Sequence, residues 1–204
     1  MSPARFFTFD GIDGTGKSTQ SQLFCDWLRE IGHEVVTCRD PGSTLLGEKL
    51  RELILHDDQT KIGFGAETLM YMAARAQLVT EIIRPALEAG KTVVSDRFLL
   101  ANVAYQAYGG ELPVDEVWQL GDFATGSLQP HCTFLLDLDV RAALARLTGS
   151  GDRLERRGLA YFDRVRQGFL AEAACRQDQI VVIDAGRGVD AIHADICEAA
   201  DRYL

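Results

Sequence analysis

Near the start of the chain, Gly11-Ile12-Asp13-Gly14-Thr15-Gly16-Lys17-Ser18 carries the spacing G-x-x-x-x-G-K-[ST]. Gly11, Gly14 and Gly16 allow backbone conformations closed to other residues, so successive N–H groups can converge on one anion. Lys17 can then reach β- and γ-phosphate oxygens, and the Ser18 hydroxyl can ligate Mg²⁺. The apolar run Phe6-Phe7-Thr8-Phe9 precedes the loop and a helical pattern follows it. That context separates a phosphate cradle at the positive end of a helix from an ordinary glycine-rich turn.

The remaining elements follow from hydrophobic period and turn residues. Strands are expected over 5–10, 34–38, 92–96, 133–137 and 180–184. Helices are expected over 18–31, 45–56, 66–89, 98–108, 114–125, 140–147, 159–176 and 189–203, with Pro85 kinking the third or opening a second segment. The first helix turns Leu23, Phe24, Trp27, Leu28 and Ile31 inward, and the second Leu46, Leu50, Leu53 and Ile54, with Thr44 as its cap. Five short apolar strands alternating with helices give an α/β fold, a five-stranded parallel sheet with helices on both faces. Ligands of such sheets lie at the carboxyl ends of the strands. The glycine loop, Arg39-Asp40, Asp96-Arg97, Asp137 and Asp184 all fall there.

Further chemistry clusters around that edge. Asp96 can orient a Mg²⁺ shell, and the planar fork of Arg97 can hold a phosphate. Arg75 stands on an apolar helical pattern, where an arginine alone ordinarily reaches out to solvent. Arg153, Arg156 and Arg157 follow Gly149-Ser150-Gly151, which suits a mobile flap closing cations over a polyphosphate. In the same flap, Asp152 and Glu155 can assist a metal or pair with those arginines. Arg164 and Arg166 read as a solvated helix face, and His33, His56, His131 and His193 show no ligand spacing.

Composition bounds the rest. A chain of 204 residues is expected to form one domain. The net charge of -9 argues against a bulk nucleic-acid binder. Five widely spaced cysteines without a C-x-x-C fit reduced thiols in a cytosol. No signal peptide is expected, and no apolar run is long enough for a bilayer.

Taken together, the motifs resemble those of the thymidylate kinase (dTMP kinase) family along nearly the whole chain. The resemblance rests on Phe9 through Thr19, on Arg39-Asp40-Pro41-Gly42-Ser43-Thr44 and on Tyr71-Met72-Ala73-Ala74-Arg75. It continues through Asp96-Arg97-Phe98, Asn102-Val103-Ala104-Tyr105-Gln106, Asp152-Arg153-Leu154-Glu155 and Ile183-Asp184-Ala185. It implies the P-loop NTPase fold, with residues 1–204 one nucleoside-monophosphate-kinase-type domain and a mobile LID near 148–158. It also implies γ-phosphoryl transfer from Mg·ATP to dTMP, in a cytoplasmic homodimer built on long helices, with 66–85 the candidate interface.

The resemblance assigns residues as follows. ATP is held by Gly11, Gly14, Thr15, Gly16, Lys17, Ser18 and Thr19, with Arg146, Asp184 and Ala185 bordering its base. Asp13 lies near the sugar 3′-hydroxyl of dTMP. Arg97 and Arg39 approach the acceptor phosphate, with Pro41 beside them. Arg75 bonds the thymine, with Asn102 and Gln106 nearby. Tyr71 stacks on the base, and Tyr105 lies under the deoxyribose. Lys17, Arg97, Arg153 and Asp13 form the catalytic set, and Ser18, Asp96 and Glu155 the metal set. There are departures: Asp40 stands where Glu is usual, Tyr71 where Phe is usual, and Gly14 where one branch of the family carries a basic residue. The basic flap therefore resembles the bacterial branch. A GTPase-type switch would need Asn-Lys-x-Asp, and none of Lys17, Lys49, Lys61 and Lys91 follows an Asn.

Overall fold

β1 (Phe6–Asp10) is buried at every position, so it has to lie inside a sheet covered on both faces. In the computed structural model, which describes residues 4–57, 59–147 and 157–204, β1 is the central strand. It lies between β3 (Thr92–Asp96) and β4 (Cys132–Asp137), with β2 (Val35–Arg39) and β5 (Ile180–Asp184) at the edges. Every pairing is parallel, with Phe7 opposite both Val94 and Cys132. The chain winds one way from β1 to β2 and β3, and the other way to β4 and β5, so a crevice opens at the carboxyl ends around β1. The expected five-stranded α/β fold is the observed one.

α1 (Lys17–Glu30) packs Phe24 against Phe7, Phe9 and Phe134, with ring centroids 5.2–5.6 Å apart. Ile31, expected on this face, is exposed because the helix has already closed at Glu30. α2 (Leu45–Leu55) is capped as expected, Gly47 N donating to Thr44 Oγ1 at 2.9 Å. Its inward face differs from the leucine stripe: Gly47, Ile54 and Leu55 are buried while Leu46 and Leu53 are exposed. The helix is turned this way because Arg51 shares that face and donates to Pro41 O at 3.0 Å.

α3 (Phe64–Leu78) starts two residues before the expected 66 and runs into a π-helical turn over Val79–Ile83, then α4 (Arg84–Glu88). Pro85 stands in the first turn of α4. The widened turn takes up the missing N–H and the ring that an unbroken α-helix could not accommodate. α5 (Leu99–Asn102) passes into a second π-helical stretch, Val103–Gly109, where a plain α-helix was expected. α6 (Val114–Thr125), α7 (Val140–Leu144), α8 (Leu159–Cys175) and α9 (Val189–Ala200) complete the layers, α7 and α9 each ending three residues short of expectation.

The second π-helical stretch carries Tyr105 and Gln106, and α8 holds it. Tyr161 Oη donates to Tyr105 O at 2.9 Å, and Tyr108 Oη to Glu172 Oε1 at 3.0 Å. The backbones come close at Gly168, where a Cβ would stand 2.5 Å from Tyr108 Cγ and 2.6 Å from its Cβ. Ala is intrinsically better than Gly in a helix by about 1 kcal/mol, but this contact is with the root of the tyrosine side chain, which cannot swing away. Gly168→Ala is therefore expected to destabilise by about 1–3 kcal/mol, lowering the Tm by roughly 2–4 °C per kcal/mol. A thermal melt showing an unchanged or raised Tm would contradict this packing.

Candidate active site

The glycine loop spans β1 to α1 with Gly11, Gly14 and Gly16 at φ of 135°, 83° and 93°. Gly14 could not be replaced, since a Cβ there would meet Ala143 O of α7 at 2.1 Å. α7 thus closes the position where part of the family carries a basic residue. Lys17 is buried, its Nζ donating to Ile12 O at 2.9 Å and standing 3.6 Å from Asp13 Oδ1. Burial, then Arg97, lowers the Lys17 pKa against the pull of Asp13. Ser18 and Thr19 face a cavity of about 920 Å³, open to solvent, that also meets Arg39, Arg51, Asp96 and Arg97.

At the end of β3 the chain turns through Arg97, a non-glycine residue at φ 66°. Its Nη1 donates to Gly11 O at 3.0 Å and its Nη2 to Asp13 Oδ1 at 2.8 Å and Tyr105 Oη at 3.2 Å, with the guanidinium over the Tyr105 ring. Burial alone would raise the Asp13 carboxyl, but Arg97 and Lys17 outweigh it and hold it well below the usual range. Asp10 behaves oppositely. Fully buried, with neither carboxylate oxygen bonded among the described residues, it is pushed up to about 7 by burial, Arg97 and Lys17 offsetting only part.

Asp96 Oδ1 is likewise buried without a partner among the described residues, and Asp96 shares the large cavity with the exposed Ser18. A hydroxyl and a spare carboxylate oxygen fit a hard cation such as Mg²⁺. Among the described residues no cluster of three or more His, Cys, Asp or Glu could hold a metal by itself.

A second cavity, enclosing about 490 Å³ with its open mouth included, opens beside the first and shares Asp13, Asp40, Arg51 and Arg97 with it. Tyr71, Arg75, Asn102, Tyr105 and Gln106 line it together with Pro41. Arg75 does not reach for solvent. It is 1% exposed, its Nε donating to Asp40 Oδ2 at 2.5 Å and its Nη2 to Phe98 O at 3.2 Å and to Asn102 Oδ1. The shorter Asp40 carboxylate thus still reaches the arginine.

Other expected residues lie at the rim. Arg146 donates to Ala185 O at 3.3 Å and to Gly14 O at 3.5 Å, tying the loop to the turn after β5. Asp184 is exposed and accepts from Gly186 N at 2.9 Å. Arg39 is half exposed and paired with Glu48 at 2.7 Å. The expected LID lies outside the described residues except for Arg157 and Gly158, and with it Arg153 and Glu155. Asp137, expected at the site, is held by Arg166 in a two-point ion pair at 2.7 and 2.8 Å, so Arg166 is not the solvated charge its pattern implied. Arg157 pairs with the buried Glu67 at 2.6 Å.

Three residues at or beside the site escaped the sequence reading. Arg51 borders both cavities, Asp10 is the buried carboxyl next to the loop, and Glu67 backs the second cavity. Only Glu67 left a signal, since Glu67, Tyr71 and Arg75 recur every four residues on one helix stripe.

Asp10 makes stability depend on pH. Its folded pKa near 7 stands above the ordinary 3.8, so the stability it contributes is full below about pH 4 and is lost as pH rises towards 7. The loss is on the order of 4 kcal/mol. Asp10→Asn should therefore gain on the parent protein by up to this order between pH 4 and pH 8 in urea unfolding. A difference that stays flat with pH would show that Asp10 ionises as an ordinary carboxyl.

The thymidylate kinase family model matches residues 9–196. A thymidylate kinase of Clavibacter sepedonicus is 45% identical over 194 residues, covering 94% of this chain and 92% of its own. One of Symbiobacterium thermophilum is 40% identical over 200 residues, covering 98% and 94%. The crystal structure of thymidylate kinase from Ehrlichia chaffeensis superposes with a TM-score of 0.79 at 30% identity, covering 97% of this chain and 99% of that one. The family match takes in the glycine loop, Arg97 and the four strands after β1, and on it the chain belongs to the thymidylate kinase family.

Proposed function

We propose that the protein transfers the γ-phosphoryl group of Mg·ATP to dTMP, giving ADP and dTDP. The observation that carries this reading is the pair of cavities meeting at Asp13 and Arg97. One has the loop of a triphosphate site; the other is a small polar-walled pocket suited to a nucleoside monophosphate. Phosphoryl transfer asks for little covalent chemistry: the two anions must be brought in line and their charge neutralised.

Lys17 and the loop amides hold the donor phosphates, with Gly11, Gly14, Thr15, Gly16, Ser18 and Thr19 shaping the cradle. Arg146, Asp184 and Ala185 border the ATP base. Ser18 and Asp96 would hold Mg²⁺, which supplies charge neutralisation between the phosphates. Arg97, with Arg39, takes the acceptor phosphate, and Asp13 the sugar hydroxyl. Arg75, Asn102 and Gln106 read the base, Tyr71 stacks on it and Tyr105 closes the space a 2′-hydroxyl would need. Gly14 leaves no room for a cation in the loop, so Arg153 of the LID is the further positive charge in the transition state, with Glu155 beside the metal. The protein acts in the cytosol, in keeping with free cysteines at Cys25, Cys38, Cys132, Cys175 and Cys197. It pairs as a homodimer through α3, where Leu69 is exposed, as is Phe123 of α6. No helix of the described residues is long and apolar enough to cross a membrane.

Across the nucleoside monophosphates, dTMP should give the highest kcat/KM. The dUMP value should be reduced but not abolished, since one methyl in a pocket is worth about 1–3 kcal/mol, and UMP should be poor because of Tyr105. AMP or CMP as the best acceptor in an ADP-release assay would overturn the substrate. Lys17→Ala should fold and lose on the order of 10²–10³ in kcat, the scale for removing one preorganised donor. Near-normal turnover in that variant would mean that the loop does not cradle the transferred group.

A further inference from the structure

Behind the second cavity a row of side chains crosses from Arg75 of α3 to Arg157, just before α8. Arg75 Nη2 donates to Asn102 Oδ1, Asn102 Nδ2 to Gln106 Oε1 at 2.7 Å, and Gln106 Nε2 to Glu67 Oε1 at 3.0 Å. Glu67 Oε2 accepts from Arg157 Nη2 at 2.6 Å. Glu67 is 0% exposed, Gln106 1% and Asn102 2%, so water does not arbitrate among them. A guanidinium only donates and a carboxylate only accepts. Between these two ends both carboxamides can point only one way.

We propose that Glu67 is a positioning residue that fixes the direction of this row and so the base specificity of the pocket. The proposal rests on the reading of the pocket as the dTMP site. Asn102 and Gln106 line the pocket, and each keeps one N–H and one carbonyl lone pair beyond those used in the row. Thymine offers an acceptor, an N–H donor and an acceptor along its O4–N3–O2 edge. Cytosine offers a donor and then an acceptor at N4 and N3. Reversing either carboxamide exchanges donor for acceptor on the pocket wall and so exchanges which edge is welcome. Only a carboxylate can accept from Gln106 and Arg157 at once. A glutamine at 67 has one oxygen for two donors, and the cation is the stronger claimant. Its amide then faces the Gln106 amide, and because Arg75 at the other end only donates, turning the carboxamides moves the donor–donor clash along the row without removing it.

The test compares Glu67→Gln, Arg157→Met and the double variant, with thermal melts to confirm folding. In Glu67→Gln the ratio of kcat/KM for dTMP to that for dCMP should fall about ten- to hundredfold, the scale of one buried polar group left unsatisfied. The fall should lie mainly in the KM for dTMP, with the KM for ATP within about twofold. Arg157→Met leaves Glu67 accepting from Gln106 and should keep the ratio within about threefold, and adding it to Glu67→Gln should restore most of the ratio. An unchanged ratio in Glu67→Gln, a lost ratio in Arg157→Met or no recovery in the double variant overturns the proposal. A parent enzyme without preference for dTMP would instead overturn the substrate reading. The row is then read from the side-chain amide ¹⁵N resonances of Gln106 and Asn102 without nucleotide. These should move in Glu67→Gln and return in the double variant, and resonances that stay put overturn the proposal.

Discussion

Two cations, the buried Lys17 and the part-buried Arg97, share the carboxyl edge of the sheet with three carboxylates, Asp10, Asp13 and Asp96, and this balance governs what the site can accept. Asp13 is held ionised by both cations, whereas burial keeps Asp10 neutral up to about pH 7. With Asp10 neutral, two positive groups face two negative ones. Both cations lean on Asp13, Lys17 at 3.6 Å and Arg97 at 2.8 Å, while Asp96 Oδ1 has no partner among the described residues. A phosphate entering the large cavity brings more negative charge and competes for the same cations. The contacts it must displace include Ile12 O and Gly11 O, the backbone acceptors of Lys17 and Arg97. A neutral carbonyl is a weaker hold than a carboxylate, so the cations are aimed without being locked.

The backbone is shaped around those cations. Arg97 takes up a left-handed conformation that costs a non-glycine residue of order 1–3 kcal/mol. Three hydrogen bonds and the Tyr105 ring hold it there. Turning at that point lets one guanidinium touch the glycine loop, Asp13 and the second cavity together. On the opposite side α7 presses against Gly14, which fixes the loop and leaves no space in it for a further cation. Between Gly11 and Ser18 the only basic side chain is Lys17, so any additional positive charge at this edge has to come from outside the loop.

The phosphate loop was legible because its spacing is itself the chemistry: glycines where φ is positive, then a lysine and a hydroxyl. The sheet was legible because its strands are apolar on both faces. Arg75 and Arg166 show where pattern reading stops. A charged residue on a helix is solvated unless an opposite charge meets it, and the partners, Asp40 and Asp137, lie 35 and 29 residues away. Arg51 was hidden for a related reason, since the leucines of α2 suggest a different inward face. The π-helical turns at Val79–Ile83 and Val103–Gly109 add one residue to a turn, a change that hydrophobic period over a short window does not register.

The polar wall of the second cavity is hard to explain as a source of stability. Arg75 and Asp40 are 1% and 0% exposed, Glu67 is 0% exposed and Arg157 only 18%. Buried ion pairs of this kind recover little more than their desolvation cost, and well-packed apolar side chains of similar volume often do as well or better. Tyr71, Phe98 and Phe64 surround the same groups, so an apolar wall was within reach of this fold. What apolar side chains could not supply is direction. A methylene wall accepts any flat base of the right size, whereas donors and acceptors locked in sequence reject a base whose edge runs the other way, because burial leaves the mismatched groups unpaired. The charges at either end of the row account for that direction rather than for stability.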